Sequence, residues 1–350
     1  MNASRAAHWL WHPGVLSGLA RVPLLPFSAV YAGAMHVRNT LYRHGLRAVD
    51  RLGLPTVAVG NLSVGGTGKT PLATWIAGFY AAQGMRPGIL LRGYGGDETL
   101  VHQRLVPEAI VVADPDRVAG ARHAASRGAH VLVLDDAFQL LRVARDLNIV
   151  AMAAEQSEGP VRWVLPAGPW RESMAALARA DAVVVTRKAA PRCAGDALVE
   201  RLERSYPHML IASAELRLAR LERMRSGAIE PLERLEGRHV LAVAGIADWD
   251  GFAAQLEAAG ARVTLRAFSD HHRYGARDVA SLLRAARAVD DIIVTEKDAV
   301  KLRTLWPESG SAPEPAVAVL DVRWEHNGAA LEAALSAVPA RIPQPIGTHP

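Results

Sequence analysis

The stretch Thr56–Thr70, TVAVGNLSVGGTGKT, constrains this chain more than any other. Val57 to Gly60 is a short apolar, partly β-branched run of the kind that forms a buried strand. Gly65, Gly66 and Gly68 then let the backbone take positive φ and approach a ligand closely. Lys69 and Thr70 follow, with Pro71 where a first helical turn tolerates proline. Strand, glycine loop and helix in this order make a phosphate cradle. The backbone from Gly65 through Gly66, Thr67 and Gly68 and the positive helix end hold anionic oxygens, Lys69 reaches the β/γ-phosphate, and the Thr70 hydroxyl can ligate Mg²⁺. The usual G-x-x-x-x-G-K-[ST] spelling asks for glycine where this chain has Ser63. The flanking strand and helix carry the assignment without it.

The surrounding pattern alternates apolar strands with helical segments. Strands are expected at Thr56 to Gly60, Gly88 to Arg92, Ala109 to Ala113, Val131 to Leu134, Asn148 to Ala153 and Ala182 to Thr186; helices at Pro71 to Gln83, Asp116 to Arg127 and Ser173 to Ala180. Unbroken apolar strands separated by helices indicate an α/β fold: a P-loop NTPase-like, mostly parallel sheet covered on both faces. The polar stretch 216–237 reads as a connection or short hairpin. After it a second, smaller α/β/α series runs to about residue 340. The expected division is 1–50 for an N-terminal segment, 51–215 for the nucleotide domain, 216–237 for the connection and 238–340 for the second domain.

At 350 residues, half of them hydrophobic and 21% charged, the chain is globular in composition and long enough for two cores. Its one cysteine, Cys193, excludes an intramolecular disulfide and fits a reducing compartment. The formal net charge of +5 suits nucleic acid, anionic lipid or a phosphorylated substrate alike.

The uncharged run Val22–Val37 is bounded by Arg21 and then Arg38, Arg43, Arg47 and Arg51, with Trp9 and Trp11 upstream. It is shorter than the ~20 residues of a spanning helix and carries Pro23 and Pro26. It reads as a helix lying in or dipping into a membrane, with a helix packed on the domain as the alternative.

Four constellations carry possible chemistry. Asp135 and Asp136 end an apolar strand, where a P-loop needs carboxylates for Mg²⁺ and nucleotide. Asp97 and Glu98 close the glycine-rich segment RGYGGDE and can accept a proton or hold metal. His271, after Asp270 in FSDHHRY, is an imidazole beside a carboxylate, suited to proton transfer. Arg171 and Glu172 end the turn LPAGPWRE and can clamp a substrate. Thr295-Glu-Lys-Asp298 approximates a guanine-reading motif with its lysine one place late, which argues against GTP.

Taken in order, GNLSVGGTGKTP, LLRGYGGDE, VLVLDDAFQ, LPAGPWRE, AVAGI, FSDHH and VTEKDAVKL resemble the tetraacyldisaccharide 4′-kinase family of lipid A biosynthesis, from the N-terminal helix to about Leu302. The resemblance implies transfer of the ATP γ-phosphate, with Mg²⁺, to the 4′-hydroxyl of an acylated glucosamine disaccharide 1-phosphate. It places the enzyme at the cytoplasmic face of the inner membrane, with no nucleic-acid partner and its site in a cleft between two α/β/α units. By motif, Lys69 and Thr70 bind phosphate and Mg²⁺, and Asp135 and Asp136 manage metal and nucleotide. Arg171 and Glu172 line the cleft, with Glu98 on the substrate side, and Asp97 is the catalytic carboxylate paired with His271. The last two are expected to meet only on cleft closure. The family's D-D-G-F-Q-H reads Asp135-Asp-Ala137-Phe-Gln-Leu140 here. A P-loop NTPase acting as a switch or metal-delivery module is the competing reading, and a non-enzymatic basic binding protein a third.

Overall fold

The structure is a computed structural model describing residues 9–11, 14–93, 96–156, 163–308 and 313–339. Helices α1 (Val15–Arg21) and α2 (Leu25–Arg43) lead into β1 (Thr56–Asn61), α3 (Lys69–Ala82), β2 (Pro87–Leu91), α4 (Asp97–Leu105), β3 (Ile110–Ala113), α5 (Arg117–Ser126) and β4 (Val131–Leu134). Then come β5 (Leu147–Ala153), β6 (Ala182–Arg187), α6 (Arg192–Ser205) and the long β7 (Leu210–Arg223). The remainder is β8 (Ile229–Glu230), β9 (His239–Ala244), α7 (Trp249–Ala258), β10 (Arg262–Ala267), α8 (Ala276–Ala285), β11 (Asp291–Thr295), α9 (Glu296–Leu302), β12 (Ala316–His326) and α10 (Gly328–Ala337).

Among the described residues the strands form a single sheet in the order β10-β9-β11-β12-β7-β6-β5-β1-β4-β2-β3, with β8 paired to β7. Strands β1 to β7 are mutually parallel, as are β9 to β12, and the two sets meet antiparallel at β7/β12. The central strands are buried along their whole length, the consequence of apolar runs covered by helices on both faces.

The β7/β12 pair decides where a ligand can sit. Strand β6 reaches its carboxyl end opposite Glu215 of β7. Strand β11 ends opposite Ala318 of β12, which lies across from Leu221 of β7. The two parallel sets therefore point their carboxyl ends at one another across about six residues of β7, roughly 20 Å at the rise of a strand. Ligands in open α/β sheets bind beyond the carboxyl ends, so both sets of loops face one cleft.

No strand breaks at 215/216. The stretch read as a connection holds the second half of β7, the hairpin to β8 and a 3-10 turn at Leu232–Leu235. The end of the chain also returns to the first core. Val322, Leu331, Leu335 and Val338 are buried with Leu72, Ile76 and Tyr80, and the Tyr80 hydroxyl donates to the Leu335 carbonyl at 2.9 Å. The expected helix at 173–180 is a 3-10 turn, Met174–Arg179.

The run Val15–Arg43 is long and apolar enough to cross a membrane, and 11% of its most apolar window is buried. A core helix would be mostly covered; here Val15, Leu16, Leu19, Phe27 and Val30 are exposed. The polar side of α2 is tied down. Ser28 Oγ donates to the Val164 carbonyl at 2.9 Å and accepts from the Ala167 amide, while Asn39 Nδ2 donates to Glu172 at 2.7 Å.

Candidate active site

The loop between β1 and α3 is shaped by contacts that only glycine permits at its end. Gly68 has φ +78°, and a Cβ there would lie 2.3 Å from Leu216 Cδ1 on β7. Buried Asn61 bridges the loop, donating to the Ser63 carbonyl at 2.6 Å and to Thr67 Oγ1 at 2.8 Å. Thr186 Oγ1 donates to the Thr67 carbonyl, and Lys188 Nζ to the Gly66 carbonyl at 2.9 Å. Ser63, where the usual spelling has glycine, bridges to Trp170 and hydrogen-bonds Gln156 at 2.5 Å. Positive φ falls at Gly65 and Gly68 instead, so Ser63 costs the loop nothing.

Beside Lys69 lies the acidic pair. Asp136 has φ +52°, a strained setting for a non-glycine residue, and receives Arg171 Nη1 at 2.8 Å with Lys69 Nζ at 3.7 Å. Asp135 is buried; its Oδ2 is 3.0 Å from His102 Nε2, and its Oδ1 has no hydrogen-bond partner among the described residues. Burial works to raise the Asp135 pKa, but the His102 hydrogen bond and charge, with Lys69 and Lys297, hold it below the usual carboxylate range. A buried carboxylate oxygen left open beside a phosphate loop suits a hard cation. No group of three or more His, Cys, Asp or Glu capable of holding a metal is found among the described residues. A Mg²⁺ ion here would take its remaining ligands from phosphate, hydroxyl or water, as this ion commonly does. Ala137 is buried with its amide on the Val59 carbonyl, and Leu140 packs on the core that contains Leu132 and Leu134, so both family departures fill packing positions.

On the same strand set as the phosphate loop, after β2, Asp97 is the first residue of α4 and is 2% exposed, and His271 follows β10 in the other set. His271 Nδ1 is 3.0 Å from Asp97 Oδ2, and Lys301 Nζ is 3.2 Å from the same oxygen. The expectation that Asp97 and His271 meet only on closure is revised: they touch in this structure, because the opposed strand sets bring α4 against α9. Burial acts to raise the Asp97 pKa, yet the His271 bond and the Lys301 and Lys297 charges hold it well below the usual range. The Asp97 hydrogen bond raises His271 despite partial burial, with Asp270 adding to it. His271 also sits at φ +55°. His102 lies five residues beyond Asp97 on α4, about 7.5 Å along the axis, so one helix spans from the acid–imidazole pair to Asp135.

Two expected substrate groups are already engaged. Glu172 is 3% exposed, with Arg179 at 2.9 and 3.0 Å and Asn39 on its second oxygen, so it anchors the loop to α2 rather than facing the cleft freely. Glu98 accepts from Lys297 at 2.8 Å. Arg171 alone of this group sits at the phosphate side, on Asp136. The TEKD segment is structural: Thr295 caps α9, and buried Asp298 accepts from the Gly245 amide and the Tyr274 hydroxyl. Sequence reasoning missed His102 and Lys188, single residues on a helix and a loop with no local signature, and gave no role to Lys301 within VTEKDAVKL.

The cleft opens into a cavity of about 1210 Å³ lined by Val64 to Gly66, by Trp9, Trp11, Val15 and Leu16, and by Ile246, Trp249 and Phe268. Phosphate loop, membrane-type helix and second α/β series thus share one largely apolar space.

Comparison with known proteins agrees in extent. The family model "Tetraacyldisaccharide-1-P 4′-kinase" matches residues 20–99 and 95–339. The chain is 38% identical over 376 residues to the tetraacyldisaccharide 4′-kinase of Anaeromyxobacter sp. (strain K), covering 99% of this chain and 98% of that one. With the kinase of the same name from Anaeromyxobacter dehalogenans (strain 2CP-C) it shares 40% over 341 residues, 86% of each. Among solved structures, LpxK from Aquifex aeolicus in complex with ATP superposes with TM-score 0.70 at 27% identity, covering 91% of this chain and 99% of that one.

Proposed function

Because this chain belongs to the tetraacyldisaccharide-1-phosphate 4′-kinase family, we propose that it transfers the γ-phosphate of ATP to the 4′-hydroxyl of a tetraacyldisaccharide 1-phosphate, in lipid A biosynthesis. The observation that carries the reading is the Asp97–His271 contact, 3.0 Å long, which joins the rim bearing the phosphate loop to the rim of the other strand set. The phosphate loop and Asp97 stand on one strand set, and His271 reaches them from the other.

In this reading the 65–68 backbone and Lys69 hold the triphosphate, and Thr70, Asp135 and Asp136 hold Mg²⁺. The open Oδ1 of Asp135 supports that donor set. When bound, the ion neutralises charge on the transferring phosphoryl group. Arg171, now on Asp136, is placed to share that charge. Asp97, hydrogen-bonded to His271, receives the hydroxyl proton. The transition state of phosphoryl transfer is loose, so the proton leaves late, and a carboxylate of low basicity suffices. The Lys301 and Lys297 charges favour the anionic form of Asp97. Glu98 acts through Lys297, and Glu172 through the loop it anchors.

The exposed apolar side of Val15–Arg43 supports residence at the inner membrane, on the cytoplasmic side where ATP is available, with the acyl chains entering the apolar cavity. Incubating the protein with Mg-ATP and the lipid disaccharide acceptor, and following phosphate in the lipid, tests the reading. Acceptor-dependent phosphate incorporation is expected. ATP hydrolysis without lipid product would favour a switch-type NTPase instead.

A further inference from the structure

We propose that His102 is a positioning residue: its imidazole fixes the carboxylate of Asp135 and ties it both to the phosphate-loop helix and to the helix that starts at Asp97. The inference rests on the assignment of Asp135 to the Mg²⁺ side.

Three observations carry it. First, His102 is 0% exposed and bonded at both nitrogens, Nε2 to Asp135 Oδ2 at 3.0 Å and Nδ1 to Thr74 Oγ1 at 2.9 Å. Second, the Thr74 hydroxyl also lies 2.8 Å from the Thr70 carbonyl, which ties it to the first turn of α3. A carboxylate can only accept, so Nε2 donates to Asp135, and the Nδ1–Thr74 contact fixes the ring from its other side. Third, the chain Thr70–Thr74–His102–Asp135 ends on the one carboxylate oxygen engaged, leaving Oδ1 buried and open. A carboxylate with one oxygen clamped and the other free is aimed. Hydrogen bonds of this outer kind orient metal ligands, and losing them weakens metal binding about 10- to 100-fold.

An ordinary core hydrogen bond would stabilise the fold without aiming anything, and substitution separates the two. In His102→Gln the amide nitrogen replaces Nε2 and keeps the Asp135 bond; in His102→Asn it replaces Nδ1 and keeps the Thr74 bond alone. Binding of a fluorescent ADP to the full-length protein is measured against Mg²⁺ concentration, and also without Mg²⁺, alongside thermal melting. The Gln variant should stay within about threefold of the parent in half-saturating Mg²⁺, while the Asn variant needs about tenfold more. Metal-free nucleotide binding should be the same in both. Thr74→Val, which removes the second anchor at constant volume, should shift Mg²⁺ dependence in the same direction by a smaller factor, and it decides the matter if the His102 variants do not fold. Unmoved Mg²⁺ dependence with only a lower melting temperature would overturn the proposal. A parent protein that binds nucleotide with no Mg²⁺ dependence would instead remove the metal assignment beneath it.

Discussion

Although 174 positions separate them, His271 Nδ1 and Asp97 Oδ2 lie 3.0 Å apart, one residue on each rim of the cleft. The contact exists because β7 and β12 run antiparallel and turn two parallel strand sets toward each other.

The pair should dominate turnover. Asp97→Asn and His271→Ala are each expected to lower kcat by about 10²- to 10⁴-fold, the range of a lost acid–base group, with ADP binding within about threefold of the parent. Single-turnover transfer at saturating Mg-ATP checks this. Full turnover in both variants would remove the pair from the mechanism.

The same contact sets a pH window for stability. His271 is raised above its ordinary 6.5 by Asp97, so its contribution is complete below 6.5 and fades as pH rises through the raised value. Asp97 is lowered from 3.8, so its contribution is complete above 3.8 and fades only at more acid pH. Urea unfolding of the parent and of His271→Ala should therefore differ most between these limits and converge toward alkaline pH. A difference that grows with rising pH would contradict the assignment.

Gly68 is expected to tolerate no side chain. Gly68→Ala meets Leu216 Cδ1 and a φ of +78°, and backbone strain of this type costs on the order of 1–3 kcal/mol. Nucleotide binding should be lost. Adding Leu216→Ala relieves the collision but not the φ, so the double variant should regain binding only in part, as calorimetry would show.

Asn39 joins the apolar helix to the cleft. Asn39→Ala leaves buried Glu172 with Arg179 alone, a loss of about 1–3 kcal/mol for a charged hydrogen bond. KM for the lipid acceptor should rise while KM for ATP holds. An unchanged lipid KM would mean that the helix serves the membrane alone.

Membrane residence has a separate check. Replacing exposed Leu19, Phe27 and Val30 with aspartate should move the protein from anionic vesicles to the supernatant in a flotation assay, with its melting temperature within a few degrees of the parent. Retention on the vesicles would assign the exposed stripe another partner.

The local elements were legible from residues alone. TVAVGNLSVGGTGKT specifies strand, cradle and helix within fifteen positions, because apolar runs, positive φ and first-turn chemistry act between near neighbours. The ordered motifs also named the candidate acids, Asp97, Asp135 and Asp136, and the candidate base partner His271. Glu172, by contrast, shares the motif LPAGPWRE with Arg171 and read as a cleft residue with it; only packing shows that α2 and Arg179 engage it. His102 carried no sign of importance, being a lone histidine on a short helix. Its partners come from β4 and α3, and such bonds depend on how layers stack rather than on spacing along the chain. Likewise, no periodicity reveals that β7 and β12 pair antiparallel through the middle of one sheet. Short-range chemistry wrote the parts of the site, and the long-range pairing of two strands decided that those parts face one another.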